Sequence, residues 1–276
     1  MISLPSFSVK ENLKDCVTPK VKESFGTKFA TVRKAVIADE TKYQSLAPDL
    51  SGFASSACEE SLAKKVEKLY ENRMVSKTGS GRHNYDKILL LSPICPYCLE
   101  RTSETLDHFL PKVSFKLLSI TPLNLVPACD TCNRKKRDGD MSELDKQFIH
   151  PYFETLFGFR WLGAKVMGTG TDRPAVKFFV DRKEVPTRSL AFRIKHQFLA
   201  LNLSRLYATQ AGIEINSLRG SLQTVHQAVG SKGVRRELEE LESQWSDSED
   251  KVWKAAMYRA LSRSKWYCST GFANAK

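Results

Sequence analysis

The chain has 276 residues, 41% of them hydrophobic and 27% charged, with only 14 Gly and 11 Pro. At about 150 residues per domain this is enough for one or two domains with a core that needs no disulfides, and the composition excludes disorder, collagen-like repeats and low complexity. The 43 basic and 31 acidic residues leave a formal charge of +12, which points to a polyanionic partner, either nucleic acid or an anionic membrane surface.

Residues 1–86 read as a helical region. From Thr18-Pro19 onward, Val21, Phe25, Phe29, Val32 and Val36 recur at spacings of four, four, three and four, one face of a helix that Pro19 can begin. Pro48, Gly52 and the serines at 51, 55 and 56 break that pattern, and a second stripe follows through Leu62, Val66, Leu69 and Met74. KTGSGRHN, ending at Asn84, reads as a flexible turn before a cysteine-bearing segment at 87–150. In 151–186, two β-rich runs, Phe159 to Val166 and Ala175 to Val180, flank GTGTDRP as a hairpin. Residues 187–276 are again helical, with segments Arg188 to Ala208, Ile213 to Val229, Val234 to Trp245 and Glu249 to Ser262 divided at Gly212, Gly230 and Gly233. The predicted class is α+β, mainly α-helical. The longest apolar stretch, Ile88 to Cys95, is interrupted by Ser92 and Pro93 and falls far short of the roughly 20 residues of a membrane span. The first residues lack a basic segment followed by an apolar run, so the expected location is cytoplasmic.

Four of the seven cysteines, Cys95, Cys98, Cys129 and Cys132, form two CxxC pairs separated by 30 residues. Two such turns can present four sulfurs to one tetrahedral Zn²⁺, and a closed four-thiolate site leaves no open coordination position, so this zinc is expected to be structural. A redox role for one pair would call for a βαβ pattern around Cys95, and none is present. Between the pairs, Asp107-His108 ends an extended-looking run from Glu104 to Phe109, Asn124 opens NLVPAC, and Asn133 follows the last cysteine.

DH, NLVPAC and CNRKK together resemble the HNH endonucleases that carry a zinc-bound knuckle, with His108, Asn124 and Asn133 in the three motif positions, an H-N-N pattern. The combination is also similar to phage junction-resolving nucleases. LPK at Leu110 to Lys112 and HPYF at His150 to Phe153 resemble stand-alone HNH proteins of bacterial anti-phage defence operons. The resemblance spans about 45 residues and implies a ββα-metal (HNH) core that hydrolyses phosphodiester bonds in DNA, leaving 5′-phosphate and 3′-hydroxyl ends. It implies that His108 takes a proton from water, that Asp107 and Asn133 hold a catalytic divalent ion, and that Asn124 clamps the loop near His108. Asparagine in the last position offers oxygen, which favours Mg²⁺ or Mn²⁺. In a regular strand Asp107 and His108 point to opposite faces, so either the chain bends at His108 or the two act on different sides of the phosphate. His150 reads as a structural residue, with a metal or phosphate role as the alternative.

Lys112, in LPK, and Arg134 and Lys136, in the basic run Arg134 to Arg137, are candidate phosphate contacts beside this core. Between Phe159 and Arg205 ten basic residues face three acidic ones, and Arg182, Lys183 and Arg188 within this stretch are expected either to track phosphates or to form a solvated face. DNA is the expected partner ahead of RNA, and no membrane is. An RNA-cleaving nuclease and a non-catalytic, zinc-stabilised nucleic-acid-binding module are the alternatives. The absence of a Walker A motif means that nucleotide-driven control would come from a partner ATPase or sensor.

Overall fold

The computed structural model describes residues 2–136 and 143–274. It is α+β and mainly helical, with two separate two-stranded antiparallel sheets, and it divides into two compact units, Met1–Thr155 and Leu156–Lys276.

The first unit opens with α1 (Val9–Cys16), whose start is fixed by a capping box: the Ser8 side chain accepts from the Glu11 backbone, and the Glu11 carboxylate accepts from the Ser8 backbone N–H. This helix is not predicted by apolar periodicity, because Val9, Leu13 and Cys16 mark only two turns. The stripe from Val21 to Val36 does face inward, but on two helices, α2 (Pro19–Phe25) and α3 (Phe29–Leu46), since Gly26 at φ 59° interrupts them. The second stripe lies on α4 (Glu60–Leu69) and on a π-helical turn at Tyr70–Val75. Arg82, His83 and Asn84 belong to α5 (Arg82–Leu89) and not to the predicted turn. The reversal is made by glycines before them: a Cβ on Gly79 would stand 2.2 Å from the Arg73 carbonyl oxygen.

These helices share one core with the cysteine-bearing segment. Val9, Leu13, Val36, Val66, Met74 and Ile88 pack in a single buried cluster with Leu106, Leu117, Ile120 and Leu125. Leu106 lies on β1 (Thr105–His108), which pairs antiparallel with β2 (Leu125–Ala128), Asp107 opposite Val126 and His108 opposite Leu125. Immediately after β2, α6 (Asp130–Lys136) completes a ββα unit. Arg137 lies outside the described residues.

The second unit pairs β3 (Leu162–Met167) with β4 (Ala175–Val180), followed by α7 (Arg188–Ala200), α8 (Leu203–Val229), α9 (Ser231–Ser246), α10 (Trp253–Arg263) and α11 (Lys265–Ser269). The predicted helix Arg188 to Ala208 is cut at Asn202, which adopts the left-handed conformation at φ 54°. Gly212, predicted to divide helices, sits inside α8, where an interior glycine costs about 1 kcal/mol and is tolerated. Gly230, at φ 72°, does separate α8 from α9. Gly233 lies within the first turn of α9, where a Cβ would meet the Val229 side chain at 2.7 Å. The last predicted segment begins at Trp253, four residues later than its apolar pattern places it. Among the described residues no helix is long and apolar enough to cross a membrane.

Candidate active site and metal knuckle

The four cysteine sulfurs lie within 4.8 Å of one another, and all four residues are buried. A tetrahedral ion at about 2.3 Å from each sulfur would set them roughly 3.8 Å apart, so the group fits a metal ion with little adjustment. None is in a disulfide. The cluster already carries features suited to thiolates: the Arg101 N–H donates to Cys98 Sγ at 3.5 Å, and the Cys132 N–H to Cys129 Sγ at 3.4 Å. Hydrogen bonding among the sulfurs holds Cys129 far below the ordinary thiol pKa and pushes Cys132 above it, an uneven sharing of charge that a dication would remove. The first turn is closed by the Leu99 N–H on the Cys95 carbonyl at 2.8 Å, with Leu99 left-handed at φ 52°, a conformation that costs a non-glycine residue about 1–2 kcal/mol.

Asp107 and His108 are consecutive in β1, whose pairing with β2 is unbroken across both, so their side chains alternate between its two faces. On one face, Asp107, 4% exposed, accepts on Oδ2 from the Tyr97 hydroxyl at 2.7 Å and from Lys136 Nζ at 3.0 Å. Burial pushes the Tyr97 phenol well above its usual pKa, so it stays protonated and donates. Two residues earlier on the same face, Thr105 Oγ1 accepts from Asn133 Nδ2 at 3.0 Å. Asn133 and Lys136 are three residues apart on α6 and therefore share its face. The helix is thus docked on β1 through Asn133 and Lys136, with the carboxylate of Asp107 and the carboxamide of Asn133 on the same side. Because Nδ2 of Asn133 is committed to Thr105, its Oδ1 is left as an acceptor. A carboxylate and a carboxamide oxygen form a hard donor set that fits Mg²⁺ or Mn²⁺.

On the other face, His108 is partly exposed. Its Nε2 lies 2.9 Å from the Ser119 carbonyl oxygen, and its ring meets Tyr70 edge-on at 4.4 Å. A carbonyl only accepts, so Nε2 carries the proton and Nδ1 the lone pair. Burial pushes the His108 pKa down to about 3, the nearby Lys112 and Lys136 charges adding to the effect and the Ser119 hydrogen bond opposing it. The imidazole is therefore neutral at physiological pH. Asn124, fully buried, accepts from the Leu110 N–H at 2.7 Å and donates to the Leu110 carbonyl at 3.0 Å, joining the two ends of the loop that leaves β1 and returns to β2.

The candidate phosphate contacts separate. Lys136 is corrected from a phosphate contact to a buried residue: its side chain is 3% exposed, and Nζ is held by Asp107 and by the carbonyls of His108 and Phe109, both at 2.9 Å. Three acceptors close around one ammonium, so it has no path to a solvent-borne phosphate. Arg134 is exposed and pairs with Asp130 at 2.6 Å, whereas Lys112 pairs with Glu71 at 2.5 Å and lies over the Tyr70 ring. In the second unit, Arg182, Lys183 and Arg188 line an open cavity of about 690 Å³ with Phe192 as its aromatic wall. Among the described residues none of the three forms a salt bridge. His150 is fully buried: Nδ1 accepts from the Tyr152 N–H at 3.3 Å, Nε2 meets the Tyr43 hydroxyl at 2.7 Å, and the ring packs on Phe109. These contacts give it a structural role.

Sequence reasoning missed Tyr70, Tyr97 and Ser119. Tyr97 had a signal, an aromatic donor inside the CPYC turn. Ser119 contributes only a backbone carbonyl and leaves none.

A short antiparallel hairpin with a histidine ending its first strand, a following helix and a four-cysteine cluster form a ββα unit, and residues 95–139 match the family model described as HNH endonuclease. The chain carries an HNH endonuclease domain in that segment. Over 217 residues it is 29% identical to Protein ea31 of Escherichia phage lambda, covering 73% of this chain and 72% of that one. No solved structure matches it significantly.

Proposed function

We propose that this protein is a metal-dependent endonuclease that hydrolyses phosphodiester bonds in DNA. The observation that carries this reading is the fixed tautomer of His108. With Nε2 donated to the Ser119 carbonyl, the Nδ1 lone pair is free to take a proton from water as its oxygen attacks phosphorus. The P–O3′ bond then breaks, and the departing oxygen takes a proton from solvent, leaving a 5′-phosphate and a 3′-hydroxyl. A divalent ion bound by Asp107 and Asn133 would neutralise charge on the phosphate and on the departing oxygen. Because Asp107 and His108 occupy opposite faces, the scissile phosphate would cross the end of β1 with the base on one side and the oxygen ligands on the other. Asn124 holds the loop beside it by its two bonds to Leu110. The ion held by Cys95, Cys98, Cys129 and Cys132 is zinc in this reading, and it is structural because four thiolates complete a tetrahedron.

Lys112 and Arg134 would exchange their carboxylate partners for phosphate, and Arg182, Lys183 and Arg188 would bind backbone independently of sequence. The protein would act in the cytoplasm. An anti-phage defence role, with a partner ATPase or sensor restraining the nuclease, rests on the resemblance at 110–112 and 150–153 and on the missing Walker A motif.

The test is incubation of the purified chain with plasmid, linear duplex, single strands and total RNA, each with Mg²⁺, Mn²⁺ or EDTA. Metal-dependent cleavage of DNA that is abolished in His108→Ala and strongly reduced in Asn133→Ala, with zinc content unchanged, is the expected result. Cleavage of RNA alone would transfer the same chemistry to another substrate. Binding without cleavage under every condition would leave a zinc-stabilised binding module.

A further inference from the structure

Tyr97 and Lys136 have no role in the chemistry above, yet both donate to one oxygen of the carboxylate that it uses, and both come from segments that carry the four clustered cysteines. Tyr97 stands between Cys95 and Cys98, 1% exposed, with its ring edge on Phe148 at 5.8 Å. Lys136 ends the helix that contains Cys132. An ion joining Cys95 and Cys98 to Cys129 and Cys132 therefore also brings the Tyr97 hydroxyl and the Lys136 ammonium onto Asp107 Oδ2, at 2.7 and 3.0 Å. We infer that Tyr97 and Lys136 are positioning residues for Asp107, and that through them the cysteine-bound metal sets the orientation of the carboxylate that takes the second, divalent ion.

The physical argument is that a carboxylate offers about four lone-pair directions. Donors from Tyr97 and Lys136 on Oδ2 restrict rotation of the group and so fix the direction in which the carboxylate faces. A buried carboxylate deprived of these donors would turn toward other partners or take up a proton. Partners in this position, hydrogen-bonded to a metal ligand, typically change metal affinity by about 10–100-fold when removed. The inference rests on the nuclease reading for the identity of the Asp107 site, but its test does not require cleavage.

The zinc-loaded full chain is titrated with Mn²⁺ and followed by electron paramagnetic resonance, comparing wild type with Tyr97→Phe, Asp107→Asn and the double variant. Tyr97→Phe keeps the buried ring and removes only the hydroxyl. The expected result is about a tenfold weaker Mn²⁺ affinity in Tyr97→Phe with zinc retained at one per chain, and no further loss when Tyr97→Phe is added to Asp107→Asn. Tyr258→Phe, which removes a hydroxyl bonded to Glu214 in the second unit, is the control and should bind Mn²⁺ as wild type does. Unchanged Mn²⁺ affinity in Tyr97→Phe overturns the inference, as does a wild-type chain with no Mn²⁺ site that depends on Asp107. Loss of zinc from Tyr97→Phe also overturns it, because the hydroxyl would then serve the knuckle itself. A chain that binds Mn²⁺ as expected but cleaves nothing would defeat the nuclease reading and leave the positioning inference standing.

Discussion

The hairpin β3–β4 pairs six residues a side and buries alternate residues along β4, Val176 and Phe178 inward and Lys177 and Phe179 outward. The hairpin β1–β2 pairs only four, and all four residues of β2 are buried. The longer hairpin is specified by its own period-two pattern. The shorter one is held largely from outside: by the knuckle through Tyr97, by α6 through Lys136 and Asn133, and by Asn124 across the loop. The residues proposed for catalysis sit on the hairpin held by polar contacts, which reach Asp107 and the His108 backbone as well as the strand.

The largest effect that could break this contrast would be loss of an ion held by Cys95, Cys98, Cys129 and Cys132, which are placed to bind one. Metal binding by such sites contributes free energy on the order of 10 kcal/mol to folding. Cys98→Ser, or chelation of the wild type, should therefore abolish amide-exchange protection at Cys95, Leu99, Glu104 and Phe109, whose N–H groups all hydrogen-bond around the knuckle and β1. Protection along β3–β4 should change little. Equal loss of protection in both hairpins would show that the second also depends on the metal.

Next in size is Lys136→Met. The Lys136–Asp107 pair is almost wholly buried, and removing one partner of such a pair leaves an uncompensated charge at a cost of about 3–5 kcal/mol. Urea denaturation followed at Trp-free β1, through amide exchange, should show that loss in the first unit. A cost under about 1 kcal/mol would mean that the pair is hydrated like a surface salt bridge.

A smaller effect comes from His108. Its folded pKa lies near 3 against roughly 6.5 in the unfolded chain. Between these values the unfolded state binds the additional proton, so stability is fully present above pH 6.5 and falls as the pH is lowered toward 3. The slope is at most about 1.4 kcal/mol per pH unit, so wild type should lose about 1–2 kcal/mol between pH 6.5 and 5 that His108→Leu does not lose. Parallel stability profiles for the two proteins would show that His108 is not desolvated.

Legibility in the sequence follows the same division. The β4 alternation and the apolar stripes of the first helices are visible because burial has a period there. β1 has no such period in Thr105-Leu106-Asp107-His108, and the sequence shows it only as an extended-looking run within Glu104 to Phe109. The cysteine spacing by itself indicates a common site, since two CxxC turns can present four sulfurs to one ion. Helix ends were less legible, because Gly26 and Asn202 act through left-handed backbone while Gly212 is carried inside a helix. Lys136 reads as a phosphate contact in the sequence because a run of four basic residues looks like a surface in one dimension. On α6 the position of Lys136 relative to Asn133 turns it inward, onto Asp107.

The smallest expected effect lies on the hairpin without chemistry. Lys165 and Lys177 are directly opposite one another in the β3–β4 register, and both are exposed. Like charges at facing positions destabilise a sheet, and an opposite pair contributes roughly 0.2–1 kcal/mol. Lys177→Glu should therefore stabilise the second unit by up to about 1 kcal/mol, and the gain should shrink as salt is raised, since both side chains are in solvent. If this hairpin is specified by its apolar alternation, the substitution leaves the register intact, because Val176 and Phe178 still face inward. A gain in stability that persists at high salt would point instead to a change in packing. A shift of register, visible as altered cross-strand contacts between Gly163 and Phe179, would show that the charge pattern and not the alternation fixes how these strands meet.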